Sequence, residues 1–249
     1  MEAERITFVG AAGAELSADV RRPTGPVVGS VLMAHCFTCS KDLHTTTRLA
    51  RRFAEAGWVT FSFDFTGLGE SDGDFASSSV STNVGDLRRA AVAMLQHDIG
   101  PCLLLGHSLG GAAAVLAAAS LHTVDAVICI ASPSDVGHVR HLLPDDADDR
   151  ADRFTVNVGG RPFDLDPGFL ADLEAHDVRT AARELGRPML VVEAGADTVV
   201  GADETAALAR AGRADLVRIE GADHLFSSPD HARQLAEVVV EWATRHTSG

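Results

Sequence analysis

Cysteine is scarce in this chain of 249 residues, which has four cysteines scattered along the sequence. So few cysteines exclude the disulfide framework of a small secreted domain. Cys102 and Cys129 fall in apolar runs and are expected to be inert core residues. Cys36 and Cys39 form a C-x-x-C pair, but no second such pair completes a four-ligand zinc site, so we expect no metal. Structural packing and redox sensitivity remain as the two explanations of the pair.

Basic residues are also few, with 21 Lys and Arg against 35 Asp and Glu and a formal net charge of −14. Phosphate binding needs concentrated Lys and Arg, so nucleic acid and anionic membranes are not expected as partners. No apolar run approaches the ~20 residues of a membrane helix, and residues Met1–Arg5 have no signal-peptide pattern. We expect a soluble cytoplasmic protein acting on a small molecule, with no prediction of oligomeric state.

The most informative segment that is present is Gly106-His107-Ser108-Leu109-Gly110, between an apolar run and a helix rich in alanine. This order predicts a nucleophile elbow, in which flanking glycines permit a sharp turn and expose the Ser108 hydroxyl. The Leu109 N–H would then point at the reacting carbonyl oxygen. Because any glycine-rich turn can hold a serine, the rest of the chain has to decide.

A catalytic serine needs a histidine base and a carboxylate that orients it, and both follow in the expected order. Asp197 lies in the loop after a buried strand, and His224 lies in the loop after the last strand. Glu193 is the rival acid, but it is still within its strand, and Asp223 is expected to stabilise a turn.

The second oxyanion donor should come from the loop after an earlier strand. Residues 29–34 form that strand and 35–40 the loop, so we expect the Phe37 N–H to be the donor, together with Leu109. The alternative is an ordinary connection with a buried Phe37.

The other histidines have simpler explanations. His97 ends a helix, and His107 is held inside the elbow, where its ring cannot easily turn back to the hydroxyl. Seven are expected to face solvent: His44, His122, His138, His141, His176, His231 and His246.

Periodicity predicts an α/β fold, with a mostly parallel sheet flanked by helices. Two opening strands look antiparallel, and strand–helix alternation follows, including a helix that Asn83 caps and that runs through Gln96. Residues 1–249 are expected to form a single α/β domain. Residues 134–186 break the alternation and are expected to form a small cap insertion, including a hairpin around Gly159-Gly160.

Three apolar side chains of this insertion could line an acyl pocket, namely Leu142, Phe163 and Phe169. Packing beneath the cap is the alternative role for at least half of such residues.

Over essentially the whole chain, these residues resemble the serine-dependent α/β-hydrolase superfamily. More narrowly, the chain is similar to the hydrolase half of the bifunctional α/β-hydrolase/OsmC proteins. The segments that carry this resemblance are HCFTCSKD (35–42), DFTGLGES (64–71), GDF (73–75), GRPF (160–163) and DTVVG (197–201). The resemblance implies a triad of Ser108, Asp197 and His224, with Phe37 and Leu109 as the oxyanion hole.

In that family a thiol-dependent, peroxide-reducing OsmC domain follows the hydrolase. Since this chain stops at Gly249, we expect that domain to be absent. The chain departs from the wider superfamily at Cys36, where glycine is usual, so the backbone at Phe37 could turn differently. Asp64 resembles a turn-stabilising position and is left out of the site.

The sequence therefore predicts a serine hydrolase that cleaves small or medium carboxylic esters without a cofactor. The same residues could serve thioester, lactone, peptide or carbon–carbon hydrolysis, or perhydrolysis, because this fold hosts many reactions. A non-catalytic ligand-binding protein is a second class. A redox sensor based on Cys36 and Cys39, with activity lost reversibly to peroxide, is a third.

Overall fold

An eight-stranded sheet forms the centre of the computed structural model, which describes residues 2–144, 152–158 and 160–247. The strands are β1 (Glu4–Val9), β2 (Glu15–Arg21), β3 (Gly29–Ala34), β4 (Trp58–Phe63), β5 (Leu103–His107), β6 (Ala126–Ile130), β7 (Phe154–Val158), β8 (Arg161–Leu165), β9 (Met189–Ala194) and β10 (Asp215–Ile219). In the described residues, eight of these strands belong to this sheet, and β7 and β8 pair separately. The order across the sheet is β1-β2-β4-β3-β5-β6-β9-β10. The pairs β1–β2 and β2–β4 are antiparallel and the others parallel, so the predicted mostly parallel sheet is confirmed.

Helices cover both faces of this sheet. They are α1 (His44–Glu55), α2 (Val80–Gln96), α3 (Leu109–Ala118), α4 (Gly168–Glu174), α5 (Val178–Glu184), α6 (Ala202–Gly212) and α7 (Pro229–His246). Helices α1 and α7 pack together on one face, and α2, α3, α5 and α6 lie side by side on the other. Two apolar cores result, one on each side of the sheet, because the central strands alternate their buried side chains between the faces.

Helix α3 is composed almost entirely of alanine, glycine and leucine, and it lies close to the sheet. A Cβ on Gly111 would overlap the Ser132 hydroxyl, so only glycine allows this approach. Helix α2 differs from its predicted start. It begins at Val80 with the Ser79 side chain accepting from the Thr82 N–H, so the cap is Ser79 and the predicted cap, Asn83, lies within the helix.

The parallel strands end at one edge, which positions the site. Register pairs Ala34 with Gly106, Gly106 with Cys129 and Cys129 with Val191. The loops after β3, β5, β9 and β10 therefore all open at this edge, where α/β sheets gather their ligands.

The segment between β6 and β9 contains a 3₁₀ turn (Val136–Leu142), the hairpin β7–β8, and helices α4 and α5. The predicted hairpin is confirmed, with Val158 opposite Arg161. Its strand β8 reaches the main body where the Asp166 N–H bonds the Ala76 carbonyl, at 2.9 Å. The limits 134–186 for a cap remain a prediction, and helix α5 packs between α3 and α6 in the main helical layer.

Candidate active site

Ser108 lies at the turn from β5 into α3, in a backbone conformation that is rare for a non-glycine residue (φ 55°, ψ −127°). The flanking glycines make this turn possible. A Cβ on Gly106 would overlap the Gly110 carbonyl, and one on Gly110 would overlap the carbonyl of His35. Strain of this kind persists where the surroundings hold the backbone in place, and it often marks an active site.

Asp197 and His224 come together from the loops after β9 and β10. The His224 Nδ1–H donates to Asp197 Oδ2 at 2.8 Å, and Asp197 Oδ1 accepts from the N–H groups of Val199 (2.7 Å) and Val200 (3.0 Å). Burial opposes ionisation of this carboxyl, but the bond and charge of His224 and the two amides together lower the pKa of Asp197 below its ordinary value. The carboxylate therefore stays ionised near neutrality and fixes the imidazole orientation.

Ser108 and His224 both line one open cavity of about 900 Å³ at this edge of the sheet. Among the described residues, Asp197 is the acid that contacts His224. Glu193 accepts instead from Thr205 (3.0 Å) and pairs with Arg218, and Asp223 accepts from the Ser227 N–H (2.8 Å). The structure shows no direct hydrogen bond from Ser108 to His224, both of which are described, and such bonds are often long before substrate binds.

Two backbone N–H groups at this cavity have no hydrogen-bond acceptor within the described part of the chain. They belong to Phe37, in the loop after β3, and to Leu109, the first residue of α3. Both residues line the cavity. Free donors at a helix N-terminus and a facing loop can stabilise a negative oxygen.

Comparisons with known proteins identify the family of this chain. A family model described as serine aminopeptidase, S33, matches residues 26–144. The chain is 36% identical to the esterase domain of a Rhodothermus marinus protein, with both chains covered completely and a TM-score of 0.83.

The chain belongs to the α/β-hydrolase superfamily.

Two solved structures with lower sequence identity share the fold of this chain. Est1E from Butyrivibrio proteoclasticus, solved with ferulic acid, is 20% identical, with coverage of 97% of this chain and 99% of that one and a TM-score of 0.81. An alpha-beta serine hydrolase homologue from Coxiella burnetii is 21% identical, with 97% of each chain covered and a TM-score of 0.69. No curated protein sequence matches this one. Among the described residues, no helix has both the length and the apolar character that spanning a bilayer requires.

The cavity wall of this α/β hydrolase differs from the expected one. Phe163 and Phe169 do not line the cavity but pack one layer behind it, in an aromatic cluster with Phe37 and Phe75. Phe37 is the member that reaches the cavity, and its ring stacks on Phe169 with centroids 5.9 Å apart. The side chain of Leu142, the third predicted pocket residue, lies outside the described part of the structure.

Two histidines have contacts that sequence reasoning missed. His107 is buried, and its Nε2–H donates to the backbone carbonyl of His224 at 2.7 Å, which tethers the base loop to the elbow. Burial lowers the pKa of His107 to about 3, so this ring stays neutral beside the base. His138 was expected to face solvent, but it lines the cavity and bonds the Val199 carbonyl at 2.6 Å. Neither role could be predicted from the sequence, because each histidine bonds a carbonyl in a loop that is distant along the chain.

The predicted turn-stabilising role of Asp64 is confirmed. Its carboxylate accepts from the backbone N–H groups of Lys41 and Glu70, and its side chain is fully buried. The Lys41 ammonium lies 3.2 Å from Asp64, 2.6 Å from Glu70 and 3.1 Å from Asp42. These three acids are the candidate metal-binding group in the described residues, but the ammonium already stands among their oxygens. The cluster instead anchors the end of the loop that carries Phe37.

Proposed function

We propose that this α/β hydrolase cleaves small or medium carboxylic esters through an acyl-enzyme on Ser108. The observation that carries the proposal is the Asp197–His224 contact at the cavity that Ser108 lines. Support for ester chemistry comes from the 36% identical esterase domain of the Rhodothermus marinus protein.

In the proposed mechanism, His224 takes the Ser108 proton as the oxygen attacks the ester carbonyl. The N–H groups of Phe37 and Leu109 stabilise the tetrahedral oxyanion. His224 then protonates the leaving alcohol and later activates the water that releases the acid. Asp197 remains ionised and stabilises the imidazolium that forms in each step. The proposal requires no metal or organic cofactor.

The test is a panel of aryl esters of increasing acyl length, measured on the parent and on Ser108→Ala. We expect saturable hydrolysis that Ser108→Ala lowers by several orders of magnitude while the variant stays folded. Ester cleavage at the parent rate in Ser108→Ala would refute the assignment. Glu193→Gln is the matched control, since Glu193 is bonded away from the cavity.

Thioester, lactone and peptide substrates are alternatives on the same triad. The serine aminopeptidase model that matches residues 26–144 is the observation that favours peptides. Amino-acid arylamides belong in the same panel for this reason. A ligand-binding protein without catalysis would bind panel members without turnover and would leave Ser108 unlabelled by a fluorophosphonate.

The narrower kinship to the hydrolase half of the α/β-hydrolase/OsmC proteins is also a proposal. Its support is the set of five sequence segments, of which 35–42 and 64–71 form the loop and anchor around Phe37, Lys41 and Asp64. It adds no substrate to the proposed ester hydrolysis.

A further inference from the structure

The C-x-x-C pair that the proposed chemistry leaves unused forms a disulfide in the structure. Cys36 and Cys39 are bonded to each other, and the two residues between them are Phe37 and Thr38. The disulfide therefore encloses the residue whose N–H is the proposed oxyanion donor. Both cysteines line the same cavity as Ser108.

The enclosed backbone is held in an unfavourable conformation. Thr38 has a φ of 62°, which is a genuine outlier for a β-branched side chain. Such a conformation is unfavourable and persists only when its surroundings fix it. Within the loop the contacts that fix it include the disulfide, a hydrogen bond from the Cys39 N–H to the Cys36 carbonyl at 3.1 Å, and a contact of 2.8 Å between His35 Nδ1 and that same carbonyl.

The two cysteine residues differ in exposure. Cys36 is 3% exposed, whereas Cys39, which lines the same cavity, is half-buried. Cys39 is therefore the cysteine that we expect a small thiolate to attack from the cavity, because access governs thiol–disulfide exchange.

We propose that Cys36–Cys39 is a thiol–disulfide exchange site, opened by a dithiol reductant from the cavity, and that its closure holds the Phe37 N–H in the oxyanion position. This inference rests on the proposed function of the same site. The disulfide is closed in the structure that has the Asp197–His224 contact and the free Phe37 N–H. Opening it releases the backbone at Phe37, so we expect reduction to lower activity. The sequence-based redox hypothesis had the opposite direction, with loss of activity on oxidation.

The dithiol supplies the two electrons that reduce the Cys36–Cys39 disulfide. One thiolate of the dithiol attacks the Cys39 sulfur, the S–S bond breaks, and Cys36 leaves as a thiolate that takes up a proton. The second thiol of the dithiol then attacks the mixed disulfide and releases Cys39. Two electrons and two protons pass to the protein, and the dithiol becomes a cyclic disulfide.

The experiment compares the parent, purified without reductant, before and after incubation with excess dithiothreitol under native conditions. Intact mass after alkylation counts the thiols, and steady-state kinetics on a short aryl ester gives kcat and KM separately. We expect two additional alkylated cysteines and a fall in kcat of tenfold or more, with a smaller change in KM, because loss of one oxyanion donor costs about 10²–10³ in kcat. Removal of dithiothreitol and treatment with oxidised glutathione should restore kcat.

Two variants separate this effect from a general effect of reductant. Cys102→Ser keeps the disulfide and should respond to dithiothreitol as the parent does. Cys102 lies just before the start of β5, at the opposite end of that strand from Ser108, and is hydrogen-bonded to Ser30. The double variant Cys36→Ser, Cys39→Ser should show the reduced parent's low kcat and no response to dithiothreitol. If that variant fails to fold, reduction and reoxidation of the parent still decide the question.

Failure of this inference and failure of the proposed function give different results. An unchanged kcat after two thiols have appeared overturns the inference, as does a disulfide that dithiothreitol cannot open in the folded protein; Ser108-dependent hydrolysis would survive both. Absence of ester hydrolysis in every redox state, with Ser108 unlabelled by a fluorophosphonate, would refute the proposed function and the inference with it.

Discussion

Replacing Asp197 by asparagine tests whether the contact with His224 is catalytic. The oxygen of the introduced side-chain amide can retain both bonds from the Val199 and Val200 N–H groups, so the loop keeps its shape. The NH₂ group of that amide would then face His224 Nδ1, where the carboxylate oxygen now lies at 2.8 Å. Since two donors cannot bond each other, Nδ1 must lose its hydrogen, and Nε2 carries the proton instead.

A histidine protonated at Nε2 cannot accept the proton of Ser108. The same substitution in a serine protease triad lowers kcat by about 10⁴, which corresponds to about 5.5 kcal/mol of transition-state stabilisation. We expect a loss of that order for Asp197→Asn, measured as kcat on a p-nitrophenyl ester. Folding stability should change by only about 1 kcal/mol, because the hydrogen bonds are largely retained.

The pH dependence of stability supplies a second readout. The pKa of Asp197 is lowered in the folded protein, so its ionisation adds stability above the ordinary value of 3.8, and this is lost as pH falls through the folded pKa. On acidification the parent should therefore lose stability relative to Asp197→Asn in urea titrations. Glu193→Gln is the control for kcat and should stay close to the parent. A kcat for Asp197→Asn within tenfold of the parent would refute the assigned role.

Three further substitutions test the structural account. In Gly110→Ala the new Cβ would overlap the His35 carbonyl, in the loop that carries Phe37. This substitution should lower the free energy of unfolding in urea by about 2–3 kcal/mol and should lower kcat. Gly168→Ala is the control, because a Cβ there has no heavy atom within 4 Å. Lys41→Met should cost about 3–5 kcal/mol, since it leaves the fully buried Asp64 carboxylate without its cation; a loss below 1 kcal/mol would contradict the ion pairing. Phe169→Ala, which removes the ring behind the cavity wall, should raise kcat/KM for octanoyl over acetyl esters, and an unchanged ratio would show that the aromatic cluster does not set acyl length.

Most of the fold could be predicted because its signals are local. Alternating and continuous apolar runs predicted the strands, and Gly159-Gly160 predicted the β7–β8 hairpin. The helix start at Ser79 could not be chosen on the same basis. Ser79, Ser81, Thr82 and Asn83 can all cap a helix, and tertiary contacts select among them: Val80 is buried, and the Ser81 N–H bonds Asp172 of helix α4.

Some residues of the site could also be predicted from the sequence, and others could not. Asp197 and His224 could be predicted because each follows a parallel strand, and register brings such loops to one edge. The contacts of His107 and His138 could not, because their partners are 117 and 61 residues away and are carbonyl oxygens, which any residue can provide. Phe163 was assigned to the pocket from its hydrophobicity alone, which does not distinguish a cavity wall from the layer behind it.

The central claim is that Ser108 is the nucleophile of an acyl-transfer site, and covalent labelling tests it most directly. The parent is treated with a fluorophosphonate, and intact mass and peptide mapping are compared with ester hydrolysis, alongside Ser108→Ala. We expect one label per chain, on Ser108, with hydrolysis lost in proportion to labelling, and neither label nor hydrolysis in Ser108→Ala. A label on another residue, or ester hydrolysis that persists in Ser108→Ala, would contradict it.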